Sequence, residues 1–192
     1  MRHRDDKKRA AVCQAAISLI NELGLDGVSM SKIAKRANVS PATIYIYFKN
    51  KEDMLTKLYL TVKYQMSSAF LKDFDLTLDV KSSFRRLWTN HLDYILENSA
   101  EFRFAEQFVN SPSIHKVLEE ESTQLYVPVF NLFDRGIKEG ILKKYPHQLF
   151  LIYTFSPVIR LVKEYREKVI SEKLKHMAFE AAWDAISIKK RA

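Results

Sequence analysis

The chain has 192 residues, 47% hydrophobic and 28% charged, with 4 Gly, 5 Pro and a single Cys. Such a composition excludes a disordered chain, and the lone cysteine excludes an intramolecular disulfide. The formal charge of +8 favours a polyanionic partner, and with no basic start leading into an apolar run and a small-residue cleavage site, a cytoplasmic protein is expected.

Glycine and proline are scarce, so long helices with short connections, an all-α protein, are the natural reading. Residues 1–51 hold ten Lys/Arg (Arg2, Arg4, Lys7, Lys8, Arg9, Lys32, Lys35, Arg36, Lys49, Lys51) against Asp5, Asp6, Glu22 and Asp26, a net +6 in about a quarter of the chain. That asymmetry suits a surface for nucleic acid or anionic lipid. Cys13, Ala16, Ile17, Ile20 and Leu23 recur at helical spacing and predict a first helix from about residue 6 to Leu23, stopped by Gly24. Cys13 reads as a small core residue of that stripe.

After "GLDGVS", Ser29 is placed to cap a short helix that turns Met30, Ile33, Ala34 and Ala37 inward. "NVS" breaks it. Ser40 then caps a third helix with Pro41 at its first position, and "KNKED" leads into a fourth with Leu55, Leu58, Val62, Met66 and Phe70 on one stripe. Two short helices joined by a three- or four-residue turn make a helix-turn-helix. On a wheel of about 100° per residue, Ile44 and Phe48 form the inward pair of the third helix. Ile46 falls opposite them, flanked by Ala42 and Thr43, with Tyr45 and Tyr47 on the shoulders. An outward isoleucine there suits a thymine methyl in a major groove, with tyrosine hydroxyls at phosphates on either side; a hydrophobic protein contact is the alternative.

The run "GVSMSKIAKRANVSPATIYIYFKNKEDML" resembles the DNA-binding signature of the TetR family of repressors. Shared features are a hydroxyl residue before a short helix, "IA", "VS", the aromatic run, and a lysine followed by an acidic residue and a leucine. Asn38 stands where the family usually has glycine, and Asn tolerates the left-handed backbone. Ile46 departs from the more polar residues often found at its position. The resemblance implies phosphate contacts from Ser29, Tyr45, Tyr47 and Lys51, and base contacts from Ser31, Pro41, Ala42, Thr43 and Ile46, with Ser40 in the same interface. Lys51, at the start of the fourth helix, adds its charge to a helix amino end that itself favours an anion.

From about Asp79 the pattern changes to amphipathic helices expected near 80–97, 100–109, 113–138, 147–167 and 172–189, with Pro128 and Pro157 kinking two of them. The expected division is therefore a DNA-binding domain at 1–51 and a helical domain at 52–192. The resemblance implies that the second domain binds an inducer and dimerises. Aromatic residues crowd it, and most must be core. Trp88, His91, Tyr94, Phe104, Gln107, Phe108, Tyr126, Phe130, Phe133 and Tyr153 are the candidate pocket, with Glu106, Asn110 and Arg160 as further polar groups. Phe155, Val158, Val162, Phe179, Trp183 and Ile186 are the candidate dimer face, on helices with too much apolar perimeter for one chain to cover.

An enzyme has little support. The five histidines show no metal spacing, there is no Gly-rich phosphate loop, and no Ser/His/acid set has a recognisable context, so neither metal nor cofactor is expected. The run from Leu149 to Val162 is shorter than the ~20 residues of a bilayer span. A basic helical protein that binds membrane surfaces or a protein partner would account for the charge but not for the cap-turn-cap spacing of residues 29–51. The expected partners are thus an operator in double-stranded DNA, a second copy of the chain and a small-molecule inducer.

Overall fold

The computed structural model describes residues 2–109, 125–165 and 169–189, with side chains from Lys7 onward. The helices are α1 (Arg2–Leu23), α2 (Met30–Arg36), α3 (Pro41–Tyr47), α4 (Lys51–Phe70), α5 (Val80–Glu97), α6 (Ser99–Val109), α7 (Val127–Lys138), α8 (His147–Thr154), α9 (Ser156–Glu164) and α10 (Glu172–Ile186). Among the described residues the one β feature is a bridge between Leu142 and Ser187. No described helix is long and apolar enough to cross a membrane.

Residues pack into two compact units. The first takes the described residues up to Gln65 together with Asn98 to Val109; the second takes Met66 to Glu97 and the described residues from Leu125 onward. The border on the first side falls inside α4 rather than at Lys51, where the functional division is expected. In the first unit Val12, Ala16, Ile17 and Ile20 of α1 meet Ile33 and Ala34 of α2, Ile44 and Phe48 at α3, and Met54, Leu58 and Tyr59 of α4. Cys13 is only partly buried and Leu23 is exposed, so the buried stripe of α1 is centred one residue away from the expected one. Phe104, Ala105 and Phe108 of α6 complete this core, and the Phe108 ring lies 4.8 Å from that of Tyr59. Asn21 of α1 donates to the Ala100 carbonyl at 2.9 Å and accepts from the Gln107 amide at 3.1 Å, so α6 is tied to α1 by polar contacts as well.

Chain reversals follow from local chemistry. Gly24, with φ +73°, ends α1 in the left-handed region. Asn38 does the same after α2, with φ +53°. The Val39 N–H meanwhile donates back to the Ala34 carbonyl at 3.0 Å. The expected helix over 147–167 is broken in two. Pro157 lies in the first turn of α9, where its missing N–H costs nothing, so it starts a helix instead of kinking one. Pro128 likewise sits in the first turn of α7.

The second unit is built around rings. Phe70 lies 5.5 Å from His91, 5.7 Å from Tyr126 and 5.0 Å from Phe155, while Phe84 contacts Phe155, Phe179 and Trp183 at 6.1, 5.7 and 5.8 Å. Asn90 of α5 donates to the carbonyls of Phe70 and Lys72, at 3.0 and 2.7 Å, and so closes the carboxyl end of α4.

Two substitutions test this packing. Phe108→Ala should remove about 3–5 kcal/mol from unfolding of the first unit, the usual cost of emptying an aromatic core site, measured by urea titration. Asn38→Val should cost about 1–2 kcal/mol in the same titration while Asn38→Gly leaves the midpoint nearly unchanged, because a branched side chain is strained at positive φ.

Candidate functional site

Helix α3 has seven residues, too few to be stable alone. Ser40 caps it by accepting from the Thr43 N–H, and Pro41 fixes its first turn. Ile44 and Phe48 anchor one side in the core of the first unit. The opposite side is left outward: Ile46 is 76% exposed and Tyr45 56%, beside exposed Pro41 and Ala42 and half-buried Thr43. Tyr47 is half-buried against the core.

The flanking elements are held with similar care. Ser29 is exposed and caps α2 by accepting from the Lys32 N–H, and Ser31 is exposed in its first turn. At the amino end of α4, Asn50 accepts from the Asp53 N–H at 2.8 Å, while the Asp53 carboxylate accepts from the Lys49 N–H and from Lys57 Nζ, both at 2.9 Å. This reciprocal cap places half-buried Lys51 in the first turn of α4. The Lys57 and Lys49 groups hold the Asp53 carboxyl below its usual range. Helix α2 is tied to α1 by Arg36, whose guanidinium donates to both oxygens of Glu22, at 2.8 and 2.7 Å, and to Ser18 Oγ at 2.9 Å.

The ten residues expected at a nucleic-acid surface thus sit on the loop–helix segments between Ser29 and Lys51, and α3 presents an apolar face on each side. This is the arrangement of a reading helix supported by a second helix and a turn.

The comparisons agree with that geometry. The family model "Bacterial regulatory proteins, tetR family" matches residues 12–58, and the model "Tetracyclin repressor-like, C-terminal domain" matches residues 79–187, more than half of the chain. The chain belongs to the TetR family. Its fold is that of this family, an N-terminal helix-turn-helix joined by α4 to a helical C-terminal domain, and the protein is a helix-turn-helix transcriptional regulator. A crystal structure of a TetR-family transcription regulator from Marinobacter aquaeolei VT8 is 31% identical, covers 98% of this chain and 100% of its own, and superposes with a TM-score of 0.91. An uncharacterised helix-turn-helix transcriptional regulator from Haemophilus influenzae is 27% identical over 180 residues, 91% of this chain and 93% of that protein. The transcriptional regulator FadR from Bacillus subtilis, solved in complex with stearoyl-CoA, shares the fold at 22% identity, with a TM-score of 0.71 over 93% of this chain and 99% of its own.

The residues expected at a pocket and at a dimer face take the following places in the structure. Trp88, His91 and Tyr94 of α5 are buried in the second unit, and half-buried Tyr126 packs against Phe70. Phe130 stacks on His147 at 4.8 Å and Phe133 on Phe150 at 4.5 Å, along α7. Phe104, Gln107 and Phe108 do not join them, because α6 turns these residues into the first unit. Glu106 is on the same helix, and Asn110 lies outside the described residues. Tyr153 and Arg160 point to solvent. Of the residues expected at a dimer face, Phe155, Val158, Phe179, Trp183 and Ile186 are buried within the single chain, and Val162 is half-buried. Exposed apolar side chains on these helices include Ile152, Tyr153 and Met177. Phe70 and Phe155 enclose His91 at 5.5 and 5.2 Å, a placement the sequence does not reveal, because nothing in a periodic apolar stripe separates a ring beside a polar group from one in plain core.

The Glu22 carboxyl is held down to about 2, from an ordinary 4.5, by the Arg36 guanidinium and then by Ser18. Its stabilising effect is therefore complete above pH 4.5 and is lost as pH falls toward 2. The melting temperature of the native protein should exceed that of Glu22→Gln at pH 6, and the gap should close between pH 4.5 and 2.

Proposed function

We propose that the protein is a repressor that reads its operator through α3 and releases it when an apolar or amphipathic small molecule enters the aromatic region around His91. The observation that carries the DNA half is the 76% exposure of Ile46 on a helix whose other face is already spent in the core. An isoleucine held outward by a capped, anchored helix suits a thymine methyl, with Ala42 and Thr43 beside it at base edges. Tyr45, Tyr47, Ser29 and Lys51 are the phosphate set, and Ser31, Ser40 and Pro41 line the same approach. Selection from a random duplex pool followed by footprinting tests this. An approximately palindromic site is expected, with half-sites about one turn or a multiple apart, ~34–36 Å. Recovery of no preferred sequence at moderate salt would reject it.

Within that interface, Lys51→Ala and Tyr47→Phe should weaken operator and unrelated DNA alike, and Lys51→Ala, which removes a charge, should also lower the salt dependence of binding. Ile46→Ala should instead relax the preference at a thymine by about 1 kcal/mol, read by competition with base-substituted duplexes.

Two copies are needed to engage two half-sites. The exposed apolar groups of α8 to α10 and a groove of about 430 Å3 walled by Tyr153, Pro157, Leu161, Ala178 and Ala181 support pairing of these helices with their counterparts. For the ligand, support comes from buried His91 with the Phe70 and Phe155 rings around it, and from the likeness to FadR, whose bound stearoyl-CoA makes a long acyl chain the first compound to try. A ligand acts only through unequal affinity for the DNA-competent and incompetent states, with coupling of typically ~1–3 kcal/mol. A compound that raises the melting temperature should therefore lower operator affinity by about 5–150-fold in titrations of the complex. Stabilising compounds that never alter DNA affinity would reject induction.

A further inference from the structure

A cleft of about 440 Å3 lies between α5 and α10 in the second unit, a volume within the range of small-molecule sites. Neither Phe70, His91 nor Phe155 lines it. Its floor is made by Trp88 and Leu92, both almost fully buried. The buried Trp88 indole N–H finds no acceptor among the described residues.

The two ends differ in charge. At one, Arg85 lies 3.8 Å over the Phe179 ring and pairs with Glu180 at 2.8 Å, and Glu180 takes Lys81 at 2.8 Å as well. That end is satisfied. At the other, Lys175 is held by Glu172 of its own helix at 2.7 Å. Asp93 is left half-buried, with no hydrogen bond or ion pair to another described residue. Burial pushes its carboxyl up; Lys175 opposes this and the charges of Glu97 and Glu172 reinforce it. At this end the cleft is lined by Asp93 and Glu172 beside Lys175 and exposed His176, and since Glu172 already holds Lys175, Asp93 is the carboxylate left over. A carboxylate kept partly out of water without a partner is costly, and a cation beside it offsets that cost.

We propose that the α5–α10 cleft binds a small organic cation, an ammonium on an apolar body, with Asp93 as counter-ion and Trp88 and Leu92 as the surface under the apolar part. The Trp88 indole borders the cleft, so its resonance reports on a molecule bound there.

The full-length protein, labelled with 15N at its indoles, provides the test, with Trp183→Phe used to assign the Trp88 resonance. The probes are phenethylammonium, phenylacetate and phenethyl alcohol, which share a ring and differ in charge. Phenethylammonium should shift the Trp88 signal saturably, and the other two should bind at least tenfold more weakly. Asp93→Asn should lose at least tenfold in affinity for the ammonium, whereas Lys175→Gln, which removes the competing cation, should gain at least threefold. No saturable shift of Trp88, an equal response to phenylacetate, or an Asp93→Asn protein that titrates like the native one would overturn the proposal. If Asp93→Asn does not fold, an unchanged affinity in Lys175→Gln overturns it instead.

Discussion

Everything at the reading head depends on the burial of Ile44 and Phe48. A seven-residue helix cannot hold itself together in water, because nucleation costs more than so few hydrogen bonds return. Its existence and its rotation about its own axis are therefore set from outside, by two side chains fixed in the core and by the Ser40 and Asp53 caps at its two flanks. Rotation is the important quantity. At 3.6 residues per turn, the neighbours of Ile44 and Phe48 have no choice of direction, and Ile46 is committed to solvent.

The Arg36–Glu22 pair works on the same problem one step further out. An exposed ion pair contributes little to stability as a rule, but a bidentate pair with an added hydroxyl restricts geometry more than it adds energy. Here it fixes α2 against α1, and α2 is what α3 leans on.

Helices α2 to α4 of the first unit were legible in the sequence because each buries one face and their turns announce themselves. Ser29, Ser40, Pro41 and Asn38 all sit where their chemistry requires, and the wheel of α3 separates Ile44 from Ile46 without ambiguity. The second unit was less legible for a physical reason. Phe104, Phe133 and Phe155 look alike in sequence, since an aromatic residue at helical spacing says that it will be buried and not in which core. The same applies to Phe179 and Trp183, which are buried in the chain's own interior. Pro157 is no easier to place, since proline in a first turn and proline in mid-helix differ only in where the helix before it stops.

The position of α6 bears on how this chain can be taken apart. Residues 98–109 fall within the C-terminal family match, yet by packing they belong with the N-terminal helices, where Phe104 and Phe108 fill space that α1 and α4 leave open. The reading head is thus not a module that a cut after α4 would release intact. A chimera that grafts these DNA-reading helices onto another regulator has to bring α6 along, or supply from the host two aromatic rings of the same shape in the same hole.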